Sequence, residues 1–172
     1  ESKSSQFQMA ELLASLDDLD DTYLIFSMPN SDTDGRILFQ QIEKFVSEHN
    51  NASAFTSLGQ LKYLSCIAQV DAVIGNSSSG LTETPSFKKA TINIGDRQRG
   101  RMKAASVIDC LPERSAILNA LEEIYFDEFQ KKLKNVVNPY GEGGASELIL
   151  EILESANLDD IVKKSFYDIN FL

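Results

Sequence analysis

The chain has 172 residues, 42% of them apolar and 24% charged, which is the composition of an ordinary globular domain with its own core. Its formal net charge of −10 argues against a nucleic-acid-binding protein, because such proteins normally carry a basic face. No apolar run approaches the ~18–20 residues that a membrane span needs, and no basic and then apolar leader is visible at the start.

Short apolar runs alternate with segments of helical period up to Pro112. The short runs predict buried strands, and apolar side chains three and four residues apart predict helices. In chain order, the pattern predicts helix 4–19, strand 23–26, helix 33–48, strand 52–56, helix 58–68, strand 72–74, helix 79–87, and strands 91–94 and 106–108. Beyond Pro112 it predicts helices over 113–134, 145–155 and within 158–164, with a loop over 138–144.

The alternation of strands and helices predicts one α/β domain over 1–172, with a parallel sheet covered by helices on both faces. In sheets of this kind, ligands bind at the carboxyl ends of the strands, near a topological switch point. The residues that follow each strand are therefore the candidates for a binding site.

The two cysteines and the single histidine do not indicate catalysis or metal binding. Cys66 and Cys110 lie far apart within apolar stretches, so we expect reduced core thiols, and no Cys/His spacing suits zinc. His49 stands at a predicted helix end, where histidine commonly caps carbonyl groups. The cytoplasm is the expected compartment, and the start at Glu1 rather than Met favours a processed protein or a fragment.

The most informative strand end is the serine-rich turn at 75–80, Gly-Asn-Ser-Ser-Ser-Gly. Small residues at a helix start let an anion approach backbone N–H groups, and hydroxyls add further donors. The turn is neither a Walker loop nor a dinucleotide fingerprint, and Ser, Asn and Gly are also common in turns and helix caps. Glu83 likewise has two interpretations: an acid that complements the helix dipole, or an acceptor for a ribose diol.

Arg97 favours the functional interpretation of the turn. It follows the strand predicted next to the one that ends at Gly75, and a guanidinium fork suits phosphate oxygens. Arg99 and Arg101 are interpreted as surface residues. Asn30 follows the first strand and either lines the same rim or only forms a turn beside Pro29.

Several segments together resemble one known family. They are 57–65, 71–80, 85–88 and 93–101, with shorter matches at 29–32 and 138–141. In this order they resemble the carboxyl-terminal half of the hydrolysing UDP-N-acetylglucosamine 2-epimerases, which act in sialic and related nonulosonic acid pathways. The resemblance covers nearly all of the chain, and the combined motifs are specific where any single one is not.

The resemblance implies a fold of two Rossmann-like domains facing across a cleft, as in glycosyltransferase-B enzymes, with UDP held mainly by the second domain. It implies a UDP-sugar as substrate, with no cofactor and no metal. Carried over by position, the binding residues are Ser77, Ser78 and Arg97 for the diphosphate, Glu83 for the ribose hydroxyls, Asn30 at the rim, and the backbone of Ser57 and Leu58 toward the uracil.

One departure from the family pattern concerns catalysis. The family's acid and base carboxylates belong to the first domain, and none of them is present here. We therefore expect no catalytic residue in this chain and an inactive fragment. The resemblance also implies that the full-length protein is a homo-oligomer that converts UDP-N-acetylglucosamine to N-acetylmannosamine and UDP.

Two alternatives remain open. The first is the nucleotide-sugar-binding half of a glycosyltransferase, and the second is a non-catalytic, flavodoxin-like binding module. The apolar last segment, 166–172, is expected either to fray or to drive self-association when the first domain is absent.

Overall fold

A computed structural model of the chain describes residues 4–17, 19, 21–29, 35–159 and 161–163. Asn30 and the last segment, 166–172, lie outside these described residues. The chain divides into two compact units, 1–141 and 142–172, and each is described by itself.

The first unit contains the five predicted strands, with helices between most of them. Its elements are α1 (Ser5–Leu16), β1 (Leu24–Ser27), α2 (Gly35–Glu48), β2 (Ala52–Phe55), α3 (Gly59–Gln69), β3 (Ala72–Gly75), α4 (Ser79–Thr82), a 3-10 helix (Thr84–Phe87), β4 (Ala90–Ile94), β5 (Val107–Cys110), α5 (Arg114–Glu123) and α6 (Asp127–Lys134). The second unit contains α7 (Ala145–Ser155), which has no buried residue.

Three predicted helices differ in the structure. The helix predicted over 79–87 is interrupted at Glu83, because Pro85 lacks an N–H and disfavours α geometry before it. The helix predicted over 113–134 divides into α5 and α6. Ile124 and Phe129 pack in the same core cluster, and five residues of continuous helix would place them on different faces. The described residues within 158–164 form turns and a bend rather than a helix.

The strands are parallel and form two sheets. β1 pairs with β2 with Leu24 opposite Ala52, and the second sheet has the order β3-β4-β5. No ladder joins β1 to β3 within the described part of the chain. α1 contacts both α2 and α5, and α3 and α4 both contact the 3-10 helix. The predicted Rossmann-like α/β fold is confirmed.

β4 anchors the larger core cluster of the first unit. All five of its residues are buried, and Ile92 packs with Ile117, Phe129 and Leu133 from α5 and α6. A strand that is buried along its whole length holds the loop at its carboxyl end in a defined place. That loop carries Arg97.

Both cysteines are free thiols, but they are half-buried rather than fully enclosed in the core. Burial, with a smaller contribution from Asp109, raises the pKa of Cys110 to about 11, so this thiol is protonated at neutral pH. No helix within the described ranges is long and apolar enough to cross a membrane. Among the same residues, no cluster of His, Cys, Asp and Glu side chains could hold a metal ion. The cytoplasmic compartment stays a prediction.

His49 caps the end of α2, as its position predicted. Its Nδ1 lies 2.7 Å from the carbonyl oxygen of Phe45, and its Nε2 lies 2.9 Å from Oδ1 of Asp17. Both ring nitrogens face acceptors, so the imidazolium is the form that can donate to both. The Phe45 carbonyl, followed by Asp17, raises the pKa of His49 above its ordinary value of 6.5, and partial burial opposes them.

A raised pKa in the folded state makes stability depend on pH. The contribution of His49 is fully present below the unfolded pKa of 6.5 and is lost as pH rises through the higher folded value. We expect the urea midpoint to fall between about pH 6 and about pH 8. This part of the fall should disappear in His49→Gln, since the chain has a single histidine. An identical pH profile for both proteins would refute the assignment.

Candidate functional site

The serine-rich turn connects β3 to α4. Gly75 has a φ of 141°, a conformation that side chains rarely adopt, and the chain then turns through Asn76 into the helix. Ser77 Oγ accepts the N–H of Ser79 at 3.4 Å, whereas the exposed Ser78 side chain makes no cap hydrogen bond. The hydroxyl of Ser78 is thus available to a ligand at the end of the sheet.

Gly80 lets α4 lie directly against β4. A Cβ atom at this position would stand 2.7 Å from Cγ2 of Thr91, which is closer than real Cβ contacts allow. The buried Thr91 hydroxyl donates to the carbonyl oxygen of Gly80 at 2.7 Å. This contact fixes the distance between α4, which follows the serine turn, and β4.

Glu83 lies at the end of α4, where its carboxylate accepts a hydrogen bond from the hydroxyl of Ser79. The same Ser79 oxygen lies 2.6 Å from the hydroxyl of Tyr63, which belongs to α3. Sequence reasoning did not single out Ser79 or Tyr63 for this contact. The i, i+4 spacing of Ser79 and Glu83 was a usable signal, whereas nothing local pointed to Tyr63.

The loop after β4 reaches the serine turn, because β3 and β4 are neighbours in the sheet. Arg97 donates from Nη1 to Oδ1 of Asn76 at 3.4 Å, and its side chain is exposed. Gln98, only 3% exposed, donates from Nε2 to the carbonyl oxygen of Asn76 at 2.7 Å. Gln98 is a support that the sequence reasoning missed, since a glutamine in a polar loop has no distinctive pattern.

The other basic residues near the turn either contact other groups or are exposed to solvent. Lys103 pairs with Asp109 at 2.7 Å. Lys88 donates to the carbonyl oxygen of Lys134 at 3.0 Å. Arg99 is exposed. Arg97, by contrast, donates a hydrogen bond to Asn76 in the turn.

Asn138 ties the loop at 138–141 to the end of α4. Its Nδ2 donates to the carbonyl oxygen of Thr82 at 2.8 Å and to Oγ of Ser86 at 2.7 Å. Its Oδ1 accepts the N–H of Tyr140 at 3.0 Å. The loop therefore braces the helix that carries the candidate ligand groups.

Ser57 and Leu58 lie between β2 and α3. Ser57 Oγ accepts the N–H of Gly59 at 3.3 Å, and Gly59 has a φ of 66°. The two residues thus stand at the carboxyl end of β2, and the structure gives no contact between them and the serine turn. Asn30 lies outside the described residues.

The site thus gathers hydroxyls, backbone amides, one guanidinium and one carboxylate at the end of β3 and β4. Hydroxyls, amides and a guanidinium suit an anion, and a fixed carboxylate suits a diol or another pair of donors.

A protein-family model described as UDP-N-acetylglucosamine 2-epimerase matches residues 1–154 of the chain. The chain is 38% identical over 169 residues to the GDP/UDP-N,N'-diacetylbacillosamine 2-epimerase (hydrolyzing) of Campylobacter jejuni, covering 97% of this chain and 44% of that protein. It is 37% identical over 167 residues to polysialic acid biosynthesis protein P7 of Escherichia coli, covering 94% of this chain and 42% of that protein. The chain thus spans less than half the length of these relatives.

Solved structures of similar fold include the Methanocaldococcus jannaschii UDP-GlcNAc 2-epimerase in complex with UDP-GlcNAc and UDP. That match has a TM-score of 0.70 and 18% identity, and covers 88% of this chain and 42% of the other. A structure from Listeria monocytogenes, described as a UDP-N-acetylglucosamine 2-epimerase, matches with a TM-score of 0.69 and 14% identity, covering 99% of this chain and 44% of the other. At these identities the two matches support the fold.

Proposed function

Because the chain belongs to the UDP-N-acetylglucosamine 2-epimerase family, we propose that it forms the UDP-binding half of a hydrolysing 2-epimerase. The full-length protein would convert UDP-N-acetylglucosamine and water to N-acetylmannosamine and UDP. The observation that carries this proposal is the convergence of Arg97 on the serine turn that begins α4.

In this proposal the diphosphate lies at the serine turn. The Ser77 and Ser78 hydroxyls and the amides of the first turn donate to its oxygens, and the Arg97 guanidinium neutralises part of its charge. A guanidinium has five N–H donors, and the contact with Asn76 uses one of them. Since α4 is only four residues long, the side-chain donors supply much of the interaction.

The ribose and the uracil of the ligand are assigned to other residues of this half. Glu83 accepts the ribose hydroxyls, and the backbone of Ser57 and Leu58 faces the uracil at the end of β2. Asn30 lines the rim. The proposal includes no cofactor, and the UDP-sugar is the substrate.

We further propose that residues 1–172 are the carboxyl-terminal half of a larger enzyme. Support comes from the coverage of the relatives: this chain spans 44% of the Campylobacter jejuni protein and 42% of the Escherichia coli protein.

Catalysis belongs to the other half in this proposal. Removing a proton from C2 of the sugar and expelling UDP needs positioned acids and bases, and the role of this half is to hold the leaving group. The fragment alone is expected to be inactive, and the homo-oligomeric state of the full-length enzyme stays a prediction.

The name of the Campylobacter jejuni relative favours a second substrate, UDP-N,N'-diacetylbacillosamine. The two sugars share the UDP group and differ at positions that this half is not proposed to contact. Both sugars should therefore be assayed side by side.

The activity test uses the full-length protein with each UDP-sugar and no acceptor. We expect release of UDP together with the free 2-epimerised sugar, detected by coupled assay and mass spectrometry. Residues 1–172 alone should release no UDP. A requirement for an acceptor would instead identify a glycosyltransferase, and UDP binding without turnover of either sugar would favour the non-catalytic module.

A further inference from the structure

We propose that Tyr63 is a positioning residue, which acts through Ser79 to hold the Glu83 carboxylate in place for the ribose. This inference rests on the proposed role of Glu83. The juxtaposition is tertiary: Tyr63 belongs to α3, while Ser79 begins α4 and Glu83 is the residue directly after it.

The directions of the hydrogen bonds follow from the groups present. Ser79 Oγ donates its single proton to Oε2 of Glu83. The hydroxyl of Tyr63, 2.6 Å from the same Ser79 oxygen, must then be the donor in that contact. The result is a directed chain from Tyr63 through Ser79 to the carboxylate, and each donor polarises the next.

The Tyr63 and Ser79 hydroxyls restrict the Glu83 side chain, which the short helix α4 alone would leave free to rotate. Glu83 stands between a four-residue helix and the 3-10 helix that follows, and a glutamate side chain has several rotatable bonds to restrict. Ser79 fixes one carboxylate oxygen, Oε2. Oε1 is thereby aimed in one direction, which lowers the entropy lost when a diol binds.

A purely structural role makes a different prediction. If the Tyr63 contact only joined α3 to α4, its loss would weaken every ligand of the site by the same factor. A positioning role affects only ligands that have ribose hydroxyls. The comparison of UDP with 2′,3′-dideoxy-UDP separates the two, since the diphosphate and uracil are identical.

The experiment measures the affinity of the full-length protein for both nucleotides by calorimetry. Wild-type protein should prefer UDP, and Glu83→Ala should remove the preference. Tyr63→Phe, which removes only the hydroxyl, should weaken UDP about three- to tenfold and leave dideoxy-UDP within about twofold. Ser79→Ala should weaken UDP by about tenfold or more, because the bond it removes is to a charged group.

Tyr23→Phe is the matched control. The Tyr23 hydroxyl also lies 2.6 Å from a serine oxygen, that of Ser53, but this contact is exposed and joins the residue before β1 to β2. This variant should bind both nucleotides as wild type does.

The outcomes distinguish the inference from the function on which it rests. A wild-type protein that binds both nucleotides equally would remove Glu83 from the ribose and overturn the positioning role with it. A wild type that prefers UDP, combined with a Tyr63→Phe variant that keeps the full preference, would overturn the inference alone. Equal losses for both nucleotides in Tyr63→Phe would show a structural contact and overturn it as well.

Discussion

Arg97→Ala is expected to weaken UDP binding by the full-length protein about 10- to 100-fold. The physical reason is that a hydrogen bond to a charged group contributes roughly 1.5–3 kcal/mol, and about 1.4 kcal/mol corresponds to a factor of ten. Arg97→Lys keeps the charge but loses the fork, so its affinity should fall between the other two. Calorimetric titration with UDP measures all three.

Arg99→Ala is the control for this prediction. Arg99 lies two positions further along the same loop and is exposed, and the side-chain hydrogen bonds from this loop to Asn76 come from Arg97 and Gln98. Its removal changes the net charge by the same amount and should leave UDP affinity within about twofold. If the two alanine variants lost affinity equally, Arg97 would contribute only general charge, and the proposed diphosphate contact would be wrong.

Gly80→Ala is expected to destabilise the protein by about 1–3 kcal/mol, the usual cost of overpacking a close contact. The new methyl group would meet Cγ2 of Thr91 at 2.7 Å, and Thr91 is only 2% exposed. Relief would require α4 to move away from β4 or the Thr91 side chain to rotate, and either change would disturb the bond between the Thr91 hydroxyl and the Gly80 carbonyl. Urea denaturation measures the loss.

A second substitution identifies the clash as the cause. Thr91→Ser removes Cγ2 while keeping the hydroxyl that donates to Gly80. Alone it should cost about 1 kcal/mol for the lost methyl group. Combined with Gly80→Ala, it makes room for the new methyl, so the double variant should be more stable than the sum of the two losses implies. Additive losses would show that the contact with Thr91 does not limit position 80.

Most of the fold could be predicted from the sequence, because its elements follow from local periodicity. The apolar runs of β1 and β4 and the helical spacing in α2 are properties of consecutive residues. The helix predicted over 79–87 was interrupted for a local reason, Pro85, whereas the single helix predicted over 113–134 failed because distant packing decided the outcome. α5 and α6 are separate helices because Ile124 and Phe129 both reach the same core, and a window of consecutive residues does not contain that requirement.

The candidate site also contains some residues that the sequence indicates and others that only the structure reveals. Ser77, Ser78 and Arg97 could be named in advance because each follows the end of a strand, where the topology of parallel sheets places ligands, and Glu83 could be named from its place in the family motif. Their binding roles stay proposals. The supporting contacts of Tyr63, Gln98 and Asn138 come from separate elements, and nothing in their neighbours along the chain predicts them.

By itself, the sequence determined the α/β class, the order of the elements and the family to which the serine turn belongs, because these depend on local pattern and on motifs in a fixed order. Only the tertiary structure decided how the turn is supported. The pairing of β3 with β4 brings Arg97 to Asn76, and the packing of α3 brings the Tyr63 hydroxyl to Ser79. Such contacts depend on how strands and helices pack side by side, and the spacing of residues along the chain does not record that.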